Sequence, residues 1–390
     1  MVSGGTGEVR TALWRGRAMQ ALIGVTVLGF ASFCLTLASL PVYAVTGGAS
    51  PSSAGLVTAV FLAVTVAFQA TIPALTTRFG VGPVLVAGLI AMGLPSPFYV
   101  VDDGLAWICA LSAVRGAGFA VLTVLGATLA ARVAPPERRG ESVGLYGLAI
   151  AIPNLVAVPA GVALVLDGHV GWLSWLAASP VLGVLLVPLL VRSVAPEPGP
   201  GAVGARRAAV RAALLPSLVL FVVTMAGGGL VTFLPIERPE GVLATAALLV
   251  FGVTGAVTRW RAGALSDRMG SRLLLPLALV VAAVGLVITA VGLGAGAGWV
   301  LAGAAVFGAG YGATQNLTLV AAFARAGESG TTTASAMWNA SFDAGTATGA
   351  LALGFLSAGI GLDWTYVVVA ASLAAAVPLA SAAARASVHA

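Results

Sequence analysis

Two ionisable residues, Arg115 and Asp343, lie inside long apolar stretches of the sequence, where charges are rare. At 1.5 Å per residue, Arg115 falls about 16 Å from one end of its predicted helix and Asp343 about 18 Å from one end of another. If these helices cross a bilayer, a charge at such depth costs at least ~2.5–3.5 kcal/mol. Each side chain is therefore expected to face a cavity or a partner, and both are candidates for substrate or proton binding.

Amide and aromatic side chains also lie inside the long apolar stretches, two of them in the stretch of Asp343: Asn154, Gln315, Asn316, Trp338 and Asn339. Such a setting beside an acid suits an amphipathic or cationic ligand. It also suits a proton site at Asp343, because desolvation disfavours the charged form of a carboxyl group. Two other interpretations stay open: a static ion pair between Asp343 and Arg115, and an arginine that only bonds backbone carbonyls.

Other chemistry finds little support in the sequence. It holds no phosphate-binding glycine loop, no nucleophile elbow and no pair of catalytic carboxylates, so we expect neither an enzyme nor ATP-driven transport. Cys34 and Cys109 stand in apolar stretches and suggest neither a disulfide framework nor a metal site, so no cofactor is expected. Four further polar residues receive a lower weight, because hydroxyl groups in membrane helices usually bond their own backbone: Ser32, Thr36, Gln69 and Thr224.

The composition indicates a membrane protein with many spans. Hydrophobic residues make up 59% of the 390 residues and charged residues 8%, against roughly 25% charged in soluble domains. The mean hydropathy is +1.05. All 19 basic residues are arginines, and all but Arg115 are assigned to the short polar turns and chain ends. The net charge of +6 therefore predicts membrane orientation rather than binding to nucleic acid.

Twelve apolar stretches are long enough to cross a bilayer. Their approximate limits are 19–45, 53–76, 82–101, 104–131, 143–166, 171–191, 213–236, 241–260, 272–294, 297–323, 332–358 and 364–384. They fall six and six around a segment rich in Pro, Gly and Arg, which predicts a flexible linker. The predicted domains are therefore 1–191 and 212–390, with a cytoplasmic linker at 192–211.

The arginines divide unequally between the two sides of these twelve spans. With a cytoplasmic N-terminus, the inner turns hold seventeen arginines: Arg10, Arg15, Arg17, Arg78, Arg132, Arg138, Arg139, Arg192, Arg206, Arg207, Arg211, Arg259, Arg261, Arg268, Arg272, Arg325 and Arg385. The outer turns hold one arginine and six acids: Arg238, Asp102, Asp103, Asp167, Glu237, Glu240 and Asp363. This asymmetry predicts a cell-membrane protein with both termini in the cytoplasm.

The turn RAGALSDRMGSR after the eighth stretch carries a spaced pattern of charges and glycines: Gly263, Asp267, Arg268, Gly270 and Arg272. It resembles, at every position, the loop signature G-x-x-x-D-R-x-G-x-R of the major facilitator superfamily. We expect Asp267 to cap the helix that follows, where a carboxylate meets free N–H groups and the positive end of the helix dipole. The alternative is an ordinary Arg-rich turn.

Two further stretches lean toward the drug-exporting branch of that family. The segment PPERRGE, from Pro135 to Glu141, resembles the loop after helix four in drug-exporter-like members. In that pattern an arginine occupies the position of Ser112, whereas this chain has Arg115, one helical turn away. Val158-Pro159 stands where antiporters carry Gly-Pro, and predicts a bent, thinned helix.

The resemblance implies an all-α membrane protein of twelve helices in two six-helix bundles related by a pseudo-two-fold axis, with a central cavity that opens to alternate sides. It would place near the path Arg115, Asn154, Gln315, Asn316, Trp338, Asn339 and Asp343. The implied function is proton-coupled, multidrug-type efflux of small amphipathic molecules by a bacterial monomer in its lipid bilayer. Alternatives are an importer or facilitator of a small metabolite, a transport-inactive sensor or, more distantly, a membrane enzyme.

Overall fold

The computed structural model describes residues 13–49, 51–194, 203–237 and 242–385, and all its regular secondary structure is helical. The α-helices are α1 (Arg17–Leu37), α2 (Ser39–Thr46), α3 (Pro51–Gln69), α4 (Ile72–Phe79), α5 (Val81–Gly93), α6 (Leu105–Val133), α7 (Arg139–Leu166), α8 (Val170–Leu176), α9 (Pro180–Gly183), α10 (Val187–Arg192), α11 (Val203–Glu237), α12 (Val242–Met269), α13 (Ser271–Ala295), α14 (Ala297–Ala326), α15 (Thr331–Ile360), α16 (Leu362–Ala375) and α17 (Val377–Arg385). Short 3₁₀ turns occupy Leu13–Arg15, Ser96–Val100, Pro136–Arg138, Val184–Leu186 and Glu328–Gly330.

These helices form the twelve predicted spans. The first is α1–α2, the second α3–α4, the third α5 with its 3₁₀ turn, the sixth α8–α10 and the last α16–α17; each other span is one helix. In the described part of the chain nine helices are long and apolar enough to cross a membrane, or ten if the bent pair α3–α4 counts as one span. The other two, α14 and α15, are 30 residues long and carry the polar candidates.

The second span is bent by 55° between Gln69 and Ile72. Pro73, in the first turn of α4, cannot donate a backbone hydrogen bond to the preceding turn, so the helix restarts there. By contrast α7 continues as a helix from Arg139 to Leu166, through both of its prolines.

Close glycine contacts set the packing inside each bundle. The residues Gly345 and Gly349 of α15 form a G-x-x-x-G pair that lies against α11, where a Cβ on either residue would collide with the backbone of Phe221 or Met225. In the first bundle α3 and α5 pack on α6, and α1 packs on α7. In the second bundle α12 and α13 pack on α14. Glycines therefore allow neighbouring helices to approach closely, as is usual in membrane proteins.

Two predicted boundaries differ from the structure. Helix α12 continues nine residues beyond the predicted end at Trp260, because no helix breaker occurs before Gly270, whose φ is +76°. Helix α11 begins at Val203, so positions 203–211 of the predicted linker are helical. The division into domains 1–191 and 212–390 otherwise stays a prediction. Arg10, Arg238 and Glu240 lie outside the described residues.

The helix ends that carry Arg78, Arg132, Arg268 and Arg325 lie on one side of the molecule, here called the Arg-rich end. The two bundles meet through α7 on α12, α15 on α6 and α3, and α14 on α7. Hydrogen bonds between the bundles cluster in the half of the molecule nearer this end. The conformation is therefore one in which the bundles are held together at the Arg-rich end.

Candidate functional site

Asp343 forms a hydrogen bond between the bundles in the membrane interior. The Nε2 of Gln69, the last residue of α3, donates to Oδ2 of Asp343 on α15 at 2.9 Å. Gln69 is fully buried, and its Oε1 has no partner in the described part of the chain. Asp343 therefore contacts the opposite bundle through Gln69, a residue to which the sequence analysis gives a lower weight.

Tyr311 on α14 lies within electrostatic range of both Asp343 and Arg259. Its ring lies beside Phe251 and Phe307, with centroid distances of 5.1 and 5.8 Å. The predicted acid site thus extends from α15 through α14 to α12.

Arg259 is a buried arginine of α12, although the sequence reading placed it in a cytoplasmic turn. It is 8% exposed, and its Nη1 donates to Oε1 of Gln315 at 2.8 Å. Its guanidinium lies 5.8 Å from the ring centroid of Trp338. The placement was wrong because α12 outlasts its apolar stretch: Arg259 lies ~15 Å from the helix end at Met269. The missing helix breaker before Gly270 was the available signal.

The remaining polar candidates of α14 and α15 contact the first bundle. Asn339 donates through Nδ2 to the carbonyl of Ser335 at 2.9 Å and to that of Thr123 on α6 at 3.4 Å. Asn316 donates to the carbonyl of Gly140 at 3.3 Å, and its Oδ1 has no partner among the described residues. The amides therefore lie at the interface of the bundles, with two acceptor atoms, on Gln69 and Asn316, left free.

Asp267 caps a helix of the opposite bundle. Its Oδ1 and Oδ2 accept the backbone N–H groups of Gly140 and Glu141, each at 2.8 Å. The prediction that it caps the following helix was wrong: Asp267 lies inside α12, and α13 has Gly270 as its N-cap. The cap on α7 keeps the same physics, since a carboxylate at a helix N-terminus meets free N–H groups and the positive dipole end.

Other members of the predicted loop pattern support this contact. Gly263 lies against Gly140, and a Cβ on either residue would overlap the other's backbone oxygen. Arg268 and Arg272 are exposed. In the same loop region Arg138 binds Glu141 bidentately, through Nε and Nη2 at 3.0 Å each.

Arg115 lies in a closed set of contacts within the first bundle. It is fully buried; Nε donates to the carbonyl of Met92, Nη1 to the hydroxyl of Tyr99 and Nη2 to the hydroxyl of Ser32, at 3.0, 3.3 and 2.9 Å. Among its described partners there is no carboxylate, and Asp343 bonds Gln69 instead. The static Arg115–Asp343 pair is therefore not formed here.

A small cavity of about 10 Å³, near the size that one water needs, lies beside Arg115 and Ser112. Tyr99 and Ser112 share a hydrogen bond of 3.1 Å, so the residue at the family's arginine position belongs to the same polar cluster as Arg115. Asn154 lies elsewhere: it is exposed on α7, and its Oδ1 accepts the thiol of Cys34 at 3.6 Å.

Aromatic rings form an apolar surface in the first bundle at a similar depth to Arg115. Phe33 and Phe119 stack at 4.3 Å between centroids, and Phe30 and Phe61 lie against this pair at 5.3–5.5 Å. Phe33 is partly exposed. Phe30, Phe61 and Phe119 are buried, so the rings pack mainly on one another.

Known proteins share this architecture. FucP, the E. coli fucose:proton symporter, in its outward conformation, superposes with a TM-score of 0.75 at 16% identity, over 94% of this chain and 98% of FucP. The human organic anion transporter MFSD10 gives 0.72 at 16%, over 93% and 99% of the two chains. The proton:xylose symporter XylE, bound to 6-bromo-6-deoxy-D-glucose, gives 0.68 at 16%, over 93% and 94%.

These structural likenesses establish the fold, and the sequence establishes the family. The sequence model of the Major Facilitator Superfamily matches residues 21–337, which is most of the chain. The twelve spans, the two bundles and the loop pattern around Asp267 agree with that match. The protein is thus a membrane transporter by fold and family, and the chain belongs to the Major Facilitator Superfamily.

Proposed function

We propose that the protein is a proton-coupled secondary transporter in which Asp343 carries the coupling proton. The observation that carries this proposal is the hydrogen bond from Gln69 to Asp343, because it joins a membrane-buried acid of one bundle to the other bundle. A charged carboxylate is the stronger acceptor for this amide. Protonation of Asp343 therefore weakens one tie between the bundles and favours their separation at the Arg-rich end.

Groups from two neighbouring helices act on this acid. Gln69 faces it from α3, and Tyr311 from α14. The positive charge of Arg259 on α12 acts on the same phenol as Asp343. The proton site is thus a small network, and its occupancy depends on what else binds between the bundles.

For direction and substrate, we propose export of small amphipathic organic molecules in exchange for protons. The sequence Pro135 to Glu141, with its likeness to the loop of drug-exporting members, supports export. The ring cluster around Phe33 and Phe119 supports an amphipathic substrate, because it offers apolar area close to polar groups.

Proton-coupled import is the second candidate. It is supported by the described activity of FucP and XylE, both proton symporters. At 16% identity these likenesses carry the fold alone, so neither fucose nor xylose passes to this chain as a substrate. No contact among the described residues favours the alternative of a sensor that binds a ligand without transporting it.

For the setting, we propose a monomer in the cell membrane of a bacterium, with the Arg-rich end and both termini in the cytoplasm. The arginine asymmetry supports this orientation. Protons and one small molecule would be its partners, with the proton gradient in place of any cofactor.

Vesicles of both orientations test coupling and direction together. A ligand is first taken from a thermal-shift screen of metabolites, antibiotics and dyes on the purified protein. Its uptake is then measured in inside-out and right-side-out vesicles with an imposed pH gradient, for wild type, Asp343→Asn and the control Asp363→Asn, an exposed acid. We expect gradient-driven uptake in inside-out vesicles, lost only in Asp343→Asn.

Uptake driven only in right-side-out vesicles would instead establish import. Gradient-independent uptake, or an Asp343→Asn protein that still accumulates ligand against its gradient, would reject Asp343 as the coupling site.

A further inference from the structure

The buried guanidinium of Arg259 leaves one whole edge without a partner. Nη1 is bound to Gln315, whereas neither Nε nor Nη2 has a hydrogen-bond partner in the described part of the chain. Buried charged donors without partners are costly. Arg115, the other arginine in the membrane interior, uses Nε, Nη1 and Nη2 within its own bundle. Arg259 is therefore not explained as a structural arginine of the same kind.

The free edge has the geometry that a carboxylate needs. Nε and Nη2 point in parallel from one side of the planar guanidinium and bind two oxygens at once. This chain uses that edge elsewhere, where Nε and Nη2 of Arg138 hold the two oxygens of Glu141 at 3.0 Å. Among the described residues no carboxylate is bonded to Arg259, and Asp343 is engaged by Gln69.

This edge faces the opposite bundle. Gly147 on α7 packs directly against it, and a Cβ at that position would lie 2.5 Å from Nε and 2.7 Å from Cδ of Arg259. Because Nε and Nη2 are both buried in this conformation, a ligand reaches them when α7 and α12 move apart. The indole of Trp338, 5.8 Å from the guanidinium, supplies flat apolar surface beside it, and Tyr311 lies within electrostatic range of the same charge.

We propose that Arg259 binds the anionic group of the transported molecule, and that the substrate is an organic carboxylate with an apolar or aromatic body. The carboxylate oxygens accept from Nε and Nη2, and the body lies against Trp338 and Tyr311. This inference rests on the proposed transport function and names its substrate class. It does not depend on the direction of transport or on the proton site.

Matched pairs of probes test the proposal on purified full-length protein. Benzoate, naphthalene-2-carboxylate and octanoate are each compared with their primary amide, which keeps the shape and removes the charge. Thermal shift gives the stabilisation, and titration gives the Kd. The variants are Arg259→Gln and the control Arg261→Gln, an exposed arginine of the same helix. Each variant is read against its own unliganded melting temperature, so that a loss of stability alone does not count.

We expect at least one carboxylate to stabilise wild type and Arg261→Gln more than its amide does. In Arg259→Gln this difference disappears, with Kd raised about tenfold or more, as for the loss of a charged, two-point contact. Arg259→Lys keeps the charge without the edge and gives an intermediate Kd. If Arg259→Gln does not fold, Gly147→Ala retains the arginine, covers Nε and weakens carboxylate binding alone.

The proposal is overturned if no carboxylate exceeds its amide, or if neither Arg259→Gln nor Gly147→Ala lowers the difference. The binding assay needs no pH gradient. Intact carboxylate binding with gradient-independent transport therefore refutes only the proton coupling, whereas coupled transport of a neutral or cationic ligand unaffected by Arg259→Gln refutes only the anion site.

Discussion

The carboxylate of Asp267 caps the backbone N–H of Gly140 at 2.8 Å, so that a residue of the second bundle completes the first turn of a helix in the first. The same carboxylate accepts from Glu141, also at 2.8 Å. The N-cap residue of α7, Arg138, makes no side-chain capping hydrogen bond of its own. The contact is available only while the bundles are together at the Arg-rich end.

Asp267→Asn is expected to open that end. The amide keeps one acceptor, loses the charge and turns an N–H₂ toward a backbone donor, at a cost of about 1–2 kcal/mol. Distances between spin labels at Glu137→Cys and Leu265→Cys, exposed positions on the two bundles, measure the change, with Cys34 and Cys109 replaced by Ser. A longer-distance population should grow in Asp267→Asn and not in Asp363→Asn. Identical distance distributions would count against a role in closure.

Gly263→Ala should act on the same contact through volume instead of charge. Its Cβ would overlap the carbonyl oxygen of Gly140, and overpacking of this kind costs about 1–3 kcal/mol. The matched control is Gly359→Ala on α15, where a Cβ meets nothing within 4 Å. We expect Gly263→Ala, and not the control, to transport more slowly and to show the longer distances between the two spin labels. Equal transport by both variants would show that this close approach has no role in the cycle.

Arg115→Gln is expected to lower stability more than activity. It removes donors from the carbonyl of Met92 and the hydroxyls of Tyr99 and Ser32 inside the first bundle, and each buried group left unpaired costs about 1–3 kcal/mol. The apparent melting temperature should fall by several degrees, while transport per folded molecule persists. Unchanged stability with lost transport would instead place Arg115 on the substrate path, as the sequence suggested.

Gln315→Glu tests the unpaired edge of Arg259 from inside the protein. The new carboxylate, at the position of an oxygen now 2.8 Å from Nη1, pairs with the guanidinium and competes with an external carboxylate. We expect thermal stability equal to or above that of wild type, with the response to benzoate and octanoate lost. Gln315→Met removes the hydrogen-bond partner that Arg259 has among the described residues and should lower stability. A Gln315→Glu protein less stable than Gln315→Met would contradict this account of the site.

The spans and the loop pattern were predictable from sequence because each is a local property. Apolar length identified the twelve crossings, and spacing identified Gly263 to Arg272. The partners were not predictable, since they depend on how the bundles meet. Asp267 caps the N-terminus of α7 instead of that of α13. Nothing in the sequence around Gln69 indicates that its amide binds Asp343.

Arg259 shows a different limit. A count of arginines on the predicted cytoplasmic side treats each one as a loop residue. Arg259 fits that count, because it is positively charged and lies in the half of its span nearer the Arg-rich end. Only the continuation of α12 past Trp260 turns it into a buried group. Charge statistics report the side of the membrane on which a residue lies, and they are silent about how far along a helix it stands.

The amide that holds Asp343 belongs to the last residue of α3, directly before the 55° bend of the second span. A straight helix would move as one rigid body when a force acts on a single residue. Here the force that the hydrogen bond exerts acts at the bend. A small displacement of Gln69 would therefore rotate the short helix α4, and the turn that follows it, relative to α3. The conformational change of the first bundle would then begin at this bend, while α3 keeps its position.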